Sequence, residues 1–142
     1  MDRQSITQIL RKHSSKLLSG LDHDMSCVFN MEHPKIFNIQ IIIPQGEYIF
    51  SVNTINNLSY NGEITIYDLC RGRGLGPRLV SVREAVCVEA GVERILINHN
   101  TNPSFWQGQN YVPLSQSDID LLVDDVFLSD MRFKNPVYKK LR

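Results

Sequence analysis

The sequence predicts a mixed α/β domain of the α+β kind: a mostly antiparallel twisted sheet flanked by helices, with one parallel pair of strands at its centre. Three observations predict it. A helical repeat of apolar residues opens the chain, β-type runs separated by turn residues follow, and a glycine-rich loop then leads into a second helix and a further strand. Runs joined by short turns pair antiparallel, whereas two strands joined through a helix lie parallel in a right-handed crossover.

Ile6, Ile9, Leu10, His13 and Leu17 recur on one helical face, with Ser5 and Gln8 spaced as a capping box and Gly20 as the stop. Ile36 to Ile43 and Tyr48 to Ile55 flank Pro44-Gln45-Gly46 and read as a hairpin. Asn56-Asn57 and Asn61-Gly62 bracket the next connection, after which Glu63 to Leu69 alternates as a third strand. The loop Arg71 to Pro77 follows, and Leu79, Val80, Val82, Val86, Cys87 and Ala90 keep helical spacing up to Gly91. Arg94 to Ile97 is the strand expected to lie parallel to the third. Phe105 to Gln109 forms a helical turn, Tyr111-Val112 a brief extended piece, and Ser115 or Ser117 caps a helix with Ile119, Leu122, Val123, Val126 and Phe127 on its apolar face. The basic stretch from Met131 to Arg142 reads as a solvated tail.

A length of 142 residues suits one core, so residues 1–142 are read as a single domain. Fifteen basic residues balance fifteen acidic ones, which removes the general positive field of a non-specific nucleic-acid binder; no nucleic-acid partner is expected. Apolar runs such as Ile41 to Ile43 are far below membrane-spanning length, and no membrane partner is expected. Cys27, Cys70 and Cys87 form neither a C-x-x-C pair nor an even framework, so reduced thiols in the cytoplasm are expected. His13, His23, His33 and His99 show no metal-ligand spacing.

Arg71-Gly72-Arg73-Gly74-Leu75-Gly76-Pro77 stands between a strand and a helix, where backbone N–H groups and the positive helix end can cradle a phosphate. A dinucleotide fingerprint starting at Gly72 and Gly74 needs a third glycine where Pro77 stands, and a Walker loop needs Gly-Lys-Ser/Thr. Neither is present. Arg71-x-x-Gly74-x-Gly76 instead resembles the acyl-coenzyme A pyrophosphate loop of the GNAT superfamily of N-acetyltransferases. The resemblance runs from about residue 60 to 112 and includes the aromatic pair Phe105-Trp106, followed after three residues by Asn110-Tyr111 where the family has Gly-Phe. Asparagine is the common substitute for glycine in left-handed backbone.

The resemblance implies acetyl-coenzyme A as acyl donor and an amine of a small molecule or protein as acceptor. It implies that the strand before the loop splays from Arg94–Ile97 and that the pantetheine arm pairs with backbone around Ile66, Tyr67 and Asp68. Arg71, Gly72, Arg73, Gly74, Leu75 and Gly76 would hold the pyrophosphate. The family's pantetheine-bonding asparagine falls in register with His99, between Asn98 and Asn100, and Phe105 and Trp106 close the ligand site. Trp106 stands where the family commonly has a tyrosine acid, and an indole N–H donates a hydrogen bond without delivering a proton. Candidates for base are Asp68, Glu63 and His99, and for acid Tyr67 and Tyr111. On a regular strand Glu63 and Asp68 face opposite sides, so at most one enters the site. The competing reading is a catalytically silent module that keeps the fold and works through a partner. Because a helix starts almost at Met1, the usual first strand is expected to be missing, and the bare edge calls for a second copy or a covering protein.

Overall fold

The computed structural model describes residues 1–29, 31, 33–123 and 131–141. Helix α1, Arg3–Leu17, is capped by Asp2, whose carboxylate accepts from the Ser5 amide at 2.8 Å. The capping box expected at Ser5 is thus displaced by one turn's start, because the acid two residues from the end is free to turn back on the first open N–H groups. Ile6, Leu10 and Ser14 are buried on its inner face, and Lys12 and His13 reach Glu89 of the second helix at 2.6 and 2.8 Å.

Strands β1 (Asp24–Phe29), β2 (Ile36–Ile43), β3 (Gly46–Asn53) and β4 (Leu58–Ile66) form an antiparallel meander. A single 3-10 turn, Asp68–Cys70, leads to helix α2, Leu75–Glu89, and strand β5, Arg94–Ile97. Then come helix α3 (Pro103–Gly108), β6 (Val112–Pro113), α4 (Gln116–Val123) and β7 (Val137–Lys140). The seven strands lie in the order β1-β2-β3-β4-β5-β7-β6, with β4 and β5 parallel and the other pairs antiparallel.

Four expectations are corrected. The strand after the hairpin begins at Leu58 and ends at Ile66, so Asn61-Gly62 lies inside it rather than in a turn, and Asp68 belongs to the 3-10 turn. The reversal before β4 is instead made at residues 54–57, with Asn57 at φ 55° and the Asn53 carboxamide accepting from the Ile55 and Asn56 amides. The outer position beside β2 is filled by β1, reached after α1, so the edge expected to be bare is paired and the exposed edge is β1 itself. The basic tail is not solvated throughout: β7 pairs with both β5 and β6 inside the sheet. Val137 is buried, and Lys139 turns inward to Glu84 at 2.9 Å.

The main core lies between one sheet face and the α1/α2 pair, with Phe37, Ile39, Tyr48, Phe50, Leu79 and Val86 buried there. A smaller cluster on the other face sets Leu58, Leu96 and Tyr138 against Leu114 and Leu122. Ser115 caps α4 through its hydroxyl, which accepts from the Asp118 amide at 3.2 Å. Val126, Phe127 and the Val123 side chain lie outside the described residues. Among the described residues no helix is long and apolar enough to cross a membrane.

Candidate functional site

The cleft arises where the parallel pair parts. Strands β4 and β5 are in register only at Leu58↔Arg94 and Ser59↔Ile95. The cause lies in β4. Its pairing with β3 passes from Tyr60↔Ser51 to Glu63↔Ile49, so β4 advances three residues while β3 advances two. The extra residue is absorbed as a β-bulge at Asn61 (φ 62°) and Gly62 (φ 148°), which bends and twists the strand away from β5. A cleft of about 980 Å³ opens there, bounded by Gly62, Ile64 and Ile66 on one wall and Asn98 and His99 on the other.

Its far end is closed by the glycine loop. Gly72 and Gly74 hold φ of 80° and 71°, and Gly74 caps α2 with no side-chain hydrogen bond to its first turn. The N–H groups of Leu75 and Gly76 therefore begin a fifteen-residue helix with open donors, while Pro77 contributes none. Arg71, Gly72, Gly74, Leu75 and Gly76 all line the cleft; Arg73 is exposed outside its wall. A Cβ on Gly76 would stand 3.2 Å from the Phe105 ring, so loop and α3 meet there at closest approach. Arg78 ties the same turn to α1, donating to the carbonyls of Leu17 and Ser19 at 3.1 and 2.8 Å.

The opposite wall is held by the C-terminal segment. The Lys134 amide donates to the Asn98 carbonyl at 2.9 Å, the Asn100 amide donates to the Lys134 carbonyl at 2.8 Å, and His99 between them is exposed to the cleft. Asn98 and Asn100 separate: Asn98 lines the cleft, whereas Asn100 is buried behind it and its Oδ1 accepts from the Asn102 amide. Asn102 caps α3, and Phe105 and Trp106 both reach the cleft, packed edge to face at 5.0 Å. Asn110 has φ 68°, the left-handed backbone its place after the aromatic pair requires.

The other candidates do not gather equally. Ile66 lines the cleft, but the Tyr67 amide is taken by the Gln45 carbonyl at 2.9 Å and its side chain does not line the wall. Glu63 is placed by its backbone opposite Ile49 and Asp68 by its backbone in the 3-10 turn; their side chains lie outside the described structure. The opposite-faces argument for this pair does not hold, since β4 ends between them. Tyr111 turns away from the cleft: it is 2% exposed, packs edge to face on Trp106 at 4.9 Å, and points its hydroxyl at Glu84. Burial holds its phenol far above the ordinary range, which leaves it a poor proton donor. Among the described residues no three His, Cys, Asp or Glu gather as metal ligands.

This sheet, with its split parallel pair and flanking helices, superposes on solved acetyltransferases. An acetyltransferase of the GNAT family from Staphylococcus aureus superposes over 100% of this chain and 96% of its own, with a TM-score of 0.59 at 11% identity. The fold is that of the GNAT acetyltransferases. GCN5 from Tetrahymena matches over 98% of this chain and 88% of its own, TM-score 0.56, 10% identity. N-acetylglutamate synthase from Neisseria gonorrhoeae, solved with coenzyme A and N-acetyl-glutamate, matches 99% of this chain with 33% of its own length, TM-score 0.54, 13% identity. No protein-family model and no curated protein sequence matches the chain. The GNAT fold here is thus carried by architecture rather than sequence, with the spacing of the glycine loop as its most legible trace.

Sequence reasoning missed one residue at the heart of this GNAT fold. Arg83 of α2 is fully buried directly beneath Gly62: a Cβ there would lie 2.5 Å from its Nη1. The signal was present, because an arginine four residues after Leu79 and three before Val86 interrupts an otherwise apolar stripe.

Proposed function

We propose that the chain is an N-acyltransferase that moves an acetyl group from acetyl-coenzyme A to a primary amine of a small molecule or protein. The observation that carries this reading is the glycine loop, with Arg71 beside it, opening at the N-terminus of α2 into the cleft between β4 and β5. Open N–H donors and a guanidinium suit a pyrophosphate. Beyond Ser59 no β5 residue pairs with β4, so an extended pantetheine arm has a strand edge to pair with, as a peptide does in strand addition.

In this reading the amine nitrogen attacks the thioester carbon, a C–N bond forms and the C–S bond breaks with its electron pair going to sulfur. The nitrogen must also lose a proton. His99 carries the one imidazole on the described cleft wall, and it is assigned as base. Tyr111 is not assigned as acid. Tyr111→Phe is expected to leave turnover within about twofold, since only a 3.4 Å contact to Glu84 is lost. A tenfold fall in a steady-state assay would return the acid's role to Tyr111.

Acetyl-coenzyme A at a hundredfold excess over its dissociation constant is expected to stabilise the chain by about 2.7 kcal/mol, read as a rise in melting temperature. No rise at millimolar ligand rejects the reading. A second reading, a silent module that binds coenzyme A, is favoured by Trp106 and by the turning away of Tyr111, which leave no phenol on the described cleft wall. Thiol release measured against a panel of amines separates the two.

A further inference from the structure

Arg83 lies where β4 and β5 part, and every hydrogen bond it makes is to a neutral group. Its Nε and Nη2 donate to Ser59 Oγ at 3.1 and 2.9 Å, Nη2 also to the Tyr60 carbonyl at 3.2 Å, and Nη1 to the Tyr48 hydroxyl at 2.7 Å. The guanidinium stacks 4.9 Å from the Phe50 ring and 5.5 Å from that of Tyr48. A guanidinium keeps its proton even when buried, and taking it out of water costs several kcal/mol unless a carboxylate answers it. Among the described side chains none does: Glu84, the next residue in α2, is directed to Lys139 at 2.9 Å. Cys87, one helical turn on, has its thiol pushed up to about 11 by burial and is neutral, as is Tyr48.

One backbone thickness separates this cation from the cleft, because Gly62 lines the cleft and carries no side chain to stand between them. A fixed positive charge behind so thin a wall acts on whatever charge develops nearby. Acyl transfer develops negative charge there twice, on the carbonyl oxygen of the tetrahedral intermediate and on the departing sulfur. The cleft wall also holds Trp106, which has no proton to give the sulfur.

Resting on the coenzyme A reading above, we propose that Arg83 is a positioning residue whose buried positive charge, met by no carboxylate among the described side chains and acting from behind Gly62, holds the departing sulfur of coenzyme A as a thiolate and so takes the place of a proton donor. The sulfur leaves with the electron pair of the broken C–S bond and picks up its proton from solvent after the product departs. His99 takes the proton of the attacking nitrogen and is not needed for the sulfur.

The test is the ionisation of the thiol of bound coenzyme A, followed by the NMR shift of an isotope-labelled carbon next to sulfur, which the protein's own cysteines do not obscure. In the unaltered protein the bound thiol is expected to titrate at least about one pH unit below free coenzyme A, a tenfold gain in thiolate. Arg83→Met, close in length and uncharged, is expected to return the titration to the free value or above it. Turnover should fall about tenfold or more, while affinity for coenzyme A changes less than about threefold. Arg83→Lys should recover part of the lowered titration. A purely structural arginine would move stability and affinity but not the titration of the thiol. If Arg83→Met does not fold, the unaltered protein still decides. A bound thiol that titrates like the free one overturns the proposal, as does an unchanged titration in Arg83→Met. Failure to bind coenzyme A at all overturns the acyltransferase reading and this inference with it, and is told apart from binding without a shift.

Discussion

Gly74→Glu is expected to lower affinity for coenzyme A by at least about a hundredfold, roughly 2.7 kcal/mol, while the chain stays folded. Gly74 sits at the start of α2 with φ 71°, and a Cβ built there meets nothing within 4 Å. Any side chain therefore fits, at the cost of about 1–2 kcal/mol for left-handed backbone. What a glutamate adds is a negative charge where Leu75 and Gly76 offer their N–H groups. That charge satisfies the helix end itself and repels a pyrophosphate from it. Gly74→Ala carries the same backbone strain without the charge and isolates the effect. Titration calorimetry on both variants is the measurement, and equal affinity in the two would place the pyrophosphate elsewhere. Gly76 is the poorer probe, since a side chain there presses on Phe105 and perturbs α3 as well.

The parts of the architecture legible in the sequence were those whose signals are local. The hairpin strand β2 and strand β5 came out at their observed ends, and Gly91, at φ 81° just past α2, stops the helix as its spacing implied. The glycine loop was legible because backbone geometry dictates its glycines, and Asn110 because left-handed backbone admits few residue types. What was not legible depended on distant partners. Asn-Gly between two β-type runs is a hairpin signal, yet the same pair satisfies a bulge equally well. Which it becomes is decided by β3, whose register with both halves of β4 leaves one residue over.

The C-terminal lysines misled for a related reason. A charge run predicts solvent when nothing answers it, but the Lys139 ammonium stands 5.5 Å from the centre of the Tyr111 ring and donates to Glu84, fifty-five positions earlier in the chain. The candidate site shows the same division. The loop apart from Arg73, the aromatic pair and His99 all line the cleft. Tyr111 and Asn100 were displaced, because one residue of alternation past a strand end or cap decides whether a side chain faces the cleft or the core. Arg83 lay unremarked in an apolar stripe, and only the fold brings it beneath the bulge.

That contact sets the last expected result: Gly62→Ala should destabilise the chain by about 3 kcal/mol, against about 1 kcal/mol for Gly72→Ala. Both glycines have positive φ, 148° and 80°, so both substitutions strain the backbone. They differ in surroundings. A Cβ on Gly72 meets nothing within 4 Å, whereas one on Gly62 would stand 2.5 Å from Arg83 Nη1 and 2.7 Å from Ile97 Cδ1. The end of an arginine ordinarily swings aside at little cost. Here it is pinned by Tyr48, Ser59 and Tyr60, and moving it breaks buried hydrogen bonds of a charged group. Urea unfolding of the two variants makes the comparison, and adding Arg83→Met to Gly62→Ala should recover about half of the loss by removing the obstructing group. A cost for Gly62→Ala no larger than that for Gly72→Ala would mean that the guanidinium yields freely. The bulge would then owe its shape to β3 alone rather than to the arginine packed beneath it.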